Sequence, residues 1–139
     1  MLVALEEAGK AYEKREVPVG AVITNFQGDI LSQAHNLTRT HKDPTSHAEL
    51  IAIKRAALIG PLHQCVLYTT LEPCMMCFGA IIHANIKEVC YGSPSPLDGV
   101  FSNHLINELK YADIKVFRNI LGRPSQELLS RFFKDLRSS

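Results

Sequence analysis

The chain has 139 residues, 46% of them hydrophobic and 21% charged, with a formal net charge of +1. That length gives room for one domain with a proper core, so a single domain over residues 1–139 is expected, with any site built inside one fold or shared between copies of it. A near-neutral balance demands neither a nucleic-acid nor a membrane partner, and no apolar run reaches the length of a membrane span. Met1 leads into Leu2, Val3 and Ala4 without a basic leader or cleavage site, so a cytoplasmic protein is expected, and its four cysteines read as thiols or metal ligands before disulfides.

Residues 2–14 place Leu2, Leu5, Ala8 and Tyr12 at helical spacing with charges between them, which predicts an amphipathic first helix ending before Pro18. Residues 19–24 and 30–34 are β-prone runs around Asn25, Phe26, Gln27, Gly28 and Asp29, the pattern of an antiparallel hairpin. A polar stretch over 36–45 contains the turn signal Asp43-Pro44, and Ser46 is the expected N-cap of a helix running to about Leu58. Gly60-Pro61 ends that helix, and residues 65–70 form a short strand. Pro73 precedes a helix from Cys74 to about His83, and residues 86–91 form the next strand. After a Gly-Ser-Pro-Ser-Pro loop, a helix over 101–110, a strand over 114–117 and a closing helix over 125–136 are predicted. Strands alternating with helices after a hairpin argue for an α/β fold with helices on both faces of the sheet.

Two motifs carry chemistry. His47-Ala48-Glu49 and Pro73-Cys74-Met75-Met76-Cys77 each open a helix. Cysteines three apart lie on one face of a helical turn, where both sulfurs reach one ion and the helix N-terminus favours thiolates. His47, Cys74 and Cys77 make three nitrogen and sulfur ligands, which suits zinc and leaves a fourth position open, the mark of a catalytic site. Zinc in such a site lowers the pKa of a bound water, and Glu49, two residues from a ligand, is placed to move protons in a hydrolytic deamination. Either motif alone is weak, since Cys-x-x-Cys also serves redox sites and zinc ribbons; together, on successive helix starts, they point to a deaminase. Cys65 and Cys90, in apolar strands, read as core thiols, and Met75 and Met76 as packing residues. The remaining histidines, His35, His41, His63, His83 and His104, lack ligand spacing. Arg118, Arg123, Arg131, Lys134 and Arg137 read as a solvated face, with a nucleic-acid surface as the other reading.

At the segments 16–22, 43–49, 67–77 and 79–83 the sequence resembles the cytidine-deaminase-like superfamily, and within it the bacterial tRNA adenosine deaminases. The resemblance runs from about Ala4 to Gly92. It implies a three-layer α/β/α fold with a mixed five-stranded sheet, one zinc per chain and a homodimer. It also places Asn36 against the edge of the substrate base, although an Asn there would equally suit a turn. Beyond Tyr91 the chain departs from the Arg-Asp-rich, Gly-Ala-Gly segment usual in the tRNA enzymes. The leading expectation is deamination of adenosine to inosine in tRNA. The alternatives are a deaminase of free guanine, cytosine or a related base or nucleoside, and a catalytically silent, zinc-containing RNA-binding subunit. Self-association is expected through Ala80, Ile81 and Ile82 together with Ile51, Ile53 and Leu58.

Overall fold

A computed structural model describes residues 1–103 and 113–138. Its elements are α1 (Leu2–Glu13), β1 (Gly20–Asn25), β2 (Ile30–His35), α2 (Ala48–Ala57), β3 (Cys65–Leu71), α3 (Met75–His83), β4 (Glu88–Ser93), β5 (Lys115–Phe117) and α4 (Gly122–Ser138). The strands form one mixed sheet in the order β2-β1-β3-β4-β5. The hairpin partners β1 and β2 are antiparallel, as are β1 and β3, whereas β3, β4 and β5 run parallel. The predicted helix over 101–110 falls for the most part outside the described residues.

The hairpin forms where composition placed it. Gly28 adopts a φ of 91°, which the turn requires and which a side chain would disfavour, and the Asn25 side chain accepts hydrogen bonds from the Gln27 and Asp29 amides at 3.0 and 2.9 Å. Helices α1 and α4 touch each other on one face of the sheet, and α2 and α3 touch each other on the opposite face. The main core lies under α2, where Ala21, Ile23 and Leu67 of the sheet meet Ala48, Ala52, Ile53 and Ala56. A smaller cluster of Phe78, Tyr91, Val100 and Phe101 closes the α3 end.

Three local expectations are corrected. The buried stripe of α1 is Ala4, Glu7, Ala8 and Ala11, and Leu2 is 69% exposed. The reason is proximity: a Cβ on Gly20 would stand 1.9 Å from the Ala4 carbonyl oxygen and 2.7 Å from the Ala8 nitrogen. A helix that close to a strand can present only small side chains to it. Second, Ser46 does not cap α2; its hydroxyl lies 3.2 Å from His41 Nδ1, and the N-cap residue is His47. On the opposite helix pair, Ile81 and Ile53 are core residues and give no surface for self-association; Leu58, Ile59, Met75 and Met76 are exposed apolar side chains of that layer.

Gly20→Ala is therefore expected to lower the unfolding free energy by about 1–3 kcal/mol through overpacking against the α1 backbone. Chemical denaturation of the two proteins side by side measures the difference, and equal midpoints would show that α1 yields without cost.

Candidate metal centre and active-site cavity

The two chemical motifs occupy equivalent places. His47 and Cys74 are the N-cap residues of α2 and α3, both in extended backbone conformations, and neither side chain makes a capping hydrogen bond. Each is free to turn toward the other helix. Cys77, one turn further along α3, is fully buried. The three side chains converge: His47 Nδ1 lies 3.7 Å from Cys74 Sγ and 3.6 Å from Cys77 Sγ. A tetrahedral zinc with ordinary bond lengths of about 2.0–2.1 Å to nitrogen and about 2.3 Å to sulfur puts those ligand atoms roughly 3.6 Å apart. Among the described residues this is the group of His, Cys, Asp and Glu side chains that could hold an ion. Cys65 and Cys90 stay in the strands as buried free thiols, with burial pushing both upward in pKa.

Electrostatics in the metal-free site shows what the cation offsets. The hydrogen bond from Cys77, together with His47, holds the Cys74 thiol down to about 4, so Cys74 is the thiolate. Cys77 is pushed strongly upward by that same bond and by burial, and keeps its proton. The bond to Cys74 raises His47. Glu49, in the first turn of α2 and 4% exposed, is pushed up to about 7, chiefly by burial. It lies within hydrogen-bonding reach of Cys77.

His47, Glu49 and Cys74 face a cavity of about 220 Å³. Its apolar walls are Val17, Val19 and Leu71; Asn36 and Thr38 stand on one side, Glu72 and Asp98 on another. Asn36 is 6% exposed and its side-chain amide is 3.5 Å from Thr38 Oγ1. The wall carrying Asn36 and Thr38 is held by buried Glu16. Its carboxylate accepts from the Arg39 amide at 3.0 Å and from the Thr40 amide and hydroxyl at 2.7 and 2.6 Å. Burial works against that carboxylate, but the bonds from Thr40 and Arg39 hold it below its ordinary range. The sequence reading missed Glu16, Glu72 and Asp98. The available signal was a carboxylate beside an apolar or β-branched run at Glu16 and Glu72; Asp98 had none.

The other histidines take hydrogen-bonded or surface roles. His35 lies 2.9 Å from Lys14 Nζ and 3.4 Å from Glu7, and His63 and His83 are exposed; His104 lies outside the described residues. Met75 and Met76 are exposed rather than packed, at 50% and 36%.

Comparisons with known proteins agree with the site. The sequence profile of the cytidine and deoxycytidylate deaminase zinc-binding region matches residues 1–93. A tRNA-specific adenosine deaminase of Aquifex aeolicus is 41% identical, with 99% of this chain and 93% of that protein covered. A solved structure from work on A-to-I editing by deaminases at the wobble position of transfer RNA superposes with a TM-score of 0.85 at 37% identity, covering 93% of this chain and 97% of the other. Guanine deaminase from Bacillus subtilis superposes at 0.60 with 35% identity, over 79% of this chain and 67% of the other. A three-layer fold with two helix N-termini converging on one nitrogen-and-sulfur centre is the architecture of a zinc-dependent deaminase. The chain belongs to the cytidine and deoxycytidylate deaminase family, and zinc is its metal.

Because the metal-free site retains a proton on Cys77, zinc uptake must expel it, and any proton on His47, into solvent. Zinc affinity is therefore expected to rise with pH across the neutral range. Calorimetric titration in buffers of different ionisation enthalpy counts the protons released, and a buffer-independent heat would contradict this arrangement.

Proposed function

We propose that the chain is a single-domain, cytoplasmic hydrolytic deaminase that converts adenosine to inosine in tRNA and works as a homodimer. The observation that carries the chemistry is a buried Glu49 carboxyl beside three convergent ligands, His47 and Cys74 on the cavity wall and Cys77 buried behind them. When bound there, zinc supplies the Lewis acidity that makes water a nucleophile near neutral pH. Glu49, buried beside the ligands, accepts a proton from the attacking water and delivers it to the ring nitrogen beside the reacting carbon, then takes the second proton from the added hydroxyl and supplies it to the departing amine. Adenosine and water thus become inosine and ammonia. Asn36, buried on the cavity wall with a donor and an acceptor, is suited to fix the base edge. A silent zinc subunit would have no use for a buried carboxyl at this place.

The tRNA substrate is supported by relatives that align over nearly the whole chain and by the surface around the cavity. Arg131, Lys134 and Arg137 are exposed on α4, and Arg137 lines a groove adjoining the cavity. A base held in an RNA loop must be turned out of its stack, and contacts to phosphates and flanking nucleotides offset that cost. One observation favours guanine as a second reading. Asp98 is an acceptor on the cavity wall, and guanine, unlike the adenine ring of a nucleoside, offers ring N–H donors besides the amino group it loses. Among the described residues no helix is long and apolar enough to cross a membrane. Leu58, Ile59 and Met75 supply apolar surface for association, which light scattering across a concentration series tests.

Glu49→Gln is expected to keep about one zinc per chain, by atomic absorption, while turnover falls at least about 10²-fold. Loss of zinc comparable to that of Cys74→Ala would make Glu49 a structural residue. For the substrate, neutralising Arg131, Lys134 and Arg137 together is expected to weaken inosine formation in an anticodon stem-loop and flatten its salt dependence, leaving free-base turnover almost unchanged. Efficient ammonia release from guanine with an untouched stem-loop would establish the second reading.

A further inference from the structure

We infer that Glu72 is a positioning residue that fixes the loop 94–102 as the partition between the catalytic cavity and the groove beside it, and thereby governs substrate capture. The inference rests on the deaminase reading of the cavity. Glu72 lies between β3 and Cys74 and is 2% exposed. Its Oε1 accepts from the Ser95 amide at 2.9 Å and the Ser102 hydroxyl at 2.5 Å, and its Oε2 from the Phe101 and Ser102 amides, both at 2.7 Å. One carboxylate thus holds both ends of the loop.

The middle of the loop lies flat against the same group. A Cβ on Gly99 would come within 2.3–2.5 Å of the Glu72 carboxylate atoms, Gly99 bridges to Cys74, and the Val100 amide donates to the Pro73 carbonyl at 3.0 Å. Phe101 anchors the far end, stacked on Tyr91 at 5.9 Å and set edge-on to Phe78 at 5.5 Å. Held this way, the loop has two working sides. Asp98 faces the catalytic cavity, while Pro94, Pro96 and Leu97 wall a groove of about 650 Å³ completed by Phe133 and Arg137 of α4. Asp98, Val17 and Leu71 belong to both spaces, so the two are contiguous.

Only a carboxylate fits this place. Four donors need four lone-pair sites, and a carboxylate supplies them with no donor of its own. A Gln keeps one acceptor oxygen and turns an NH2 against the remaining donors, which releases one end of the loop. With both oxygens engaged, Glu72 is left no role in proton transfer, so its loss should act on binding and not on the chemical step.

The test uses the zinc-loaded full chain with Glu72→Gln, Ser102→Ala and the double variant, read by amide hydrogen exchange and by steady-state kinetics. Wild type is assayed first on the stem-loop and on guanine. A failure of the tRNA reading appears there, and the variant-to-wild-type ratios are taken on whichever substrate reacts. Glu72→Gln is expected to lose exchange protection at Ser95, Phe101 and Ser102 while keeping zinc, and to raise KM about tenfold with kcat within about threefold. Ser102→Ala, which removes one of the bonds and leaves the carboxylate, is expected to raise KM about threefold. The double variant should add little to Glu72→Gln, because Ser102 acts through Glu72. Retained protection at those amides, an unchanged KM, or a fall in kcat at constant KM would overturn the inference. If Glu72→Gln loses zinc or fails to fold, Ser102→Ala alone decides it by the same criteria, and exchange needs no substrate.

Discussion

Gathering two thiols, an imidazole and a carboxyl into one buried volume is unfavourable unless a cation is shared among them, and much of this fold is arranged around that constraint. Without a cation the groups oppose one another: the bond from Cys77 holds Cys74 down to about 4, that same bond and burial push Cys77 strongly upward, and burial pushes Glu49 up to about 7. Two helix N-termini meet at this point, and their unpaired amide groups and dipoles favour negative charge there. His47 and Cys74 occupy the N-cap positions themselves, so the residues that would elsewhere satisfy helix ends are directed at the metal.

Bringing two helix starts together is a problem of topology. The parallel pairing of β3 with β4 requires a crossover, and α3 supplies it, starting just beyond the end of β3. Helix α2 arrives from the hairpin side after the 36–46 segment, and its alanine-rich inner face lets it lie close on Ala21 and Ile23. On the reverse side, Gly20 and Gly92 do the same for α1 and α4. A Cβ on Gly92 would fall 2.5 Å from Ser125 Oγ.

The irregular segments were the least legible part of the sequence. The hairpin, the crossover and the ligand set were readable because each depends on local spacing: a turn glycine between β-branched runs, apolar positions at a period of 3.6, cysteines three apart. The inner stripe of α1 was misread because large apolar side chains usually mark a buried face, whereas here the distance to Gly20 excludes them and leaves Leu2 outside. Ser46 was misread because a hydroxyl before a helix usually caps it, while here the metal ligand takes that place. Glu16 and Glu72 could not be found by spacing at all. Each serves partners 23–24 or 23–30 positions away, so the apolar or β-branched run beside each carboxylate can mark it as buried but cannot say what it holds.

The cavity is small, and that bears on how substrates are told apart. At about 220 Å³ it falls below the range of sites that enclose a drug-sized ligand, so it suits a single ring system whose remaining atoms stay outside. The chemistry at Glu49 and the metal can then be shared by enzymes for a free base and for a base in RNA, and the difference must lie in what surrounds the mouth. On one side that surround is the segment carrying Asn36 and Thr38, held by Glu16. On the other it is the loop held by Glu72, which turns Asp98 inward and its prolines and Leu97 outward, toward Phe133 and Arg137. An apolar, aromatic groove ending in a guanidinium has nothing to offer a lone base already enclosed. It has both a stacking surface and a phosphate partner to offer a nucleotide chain that continues beyond one. The loop held by Glu72 is therefore the segment that joins the catalytic cavity to a surface suited to RNA.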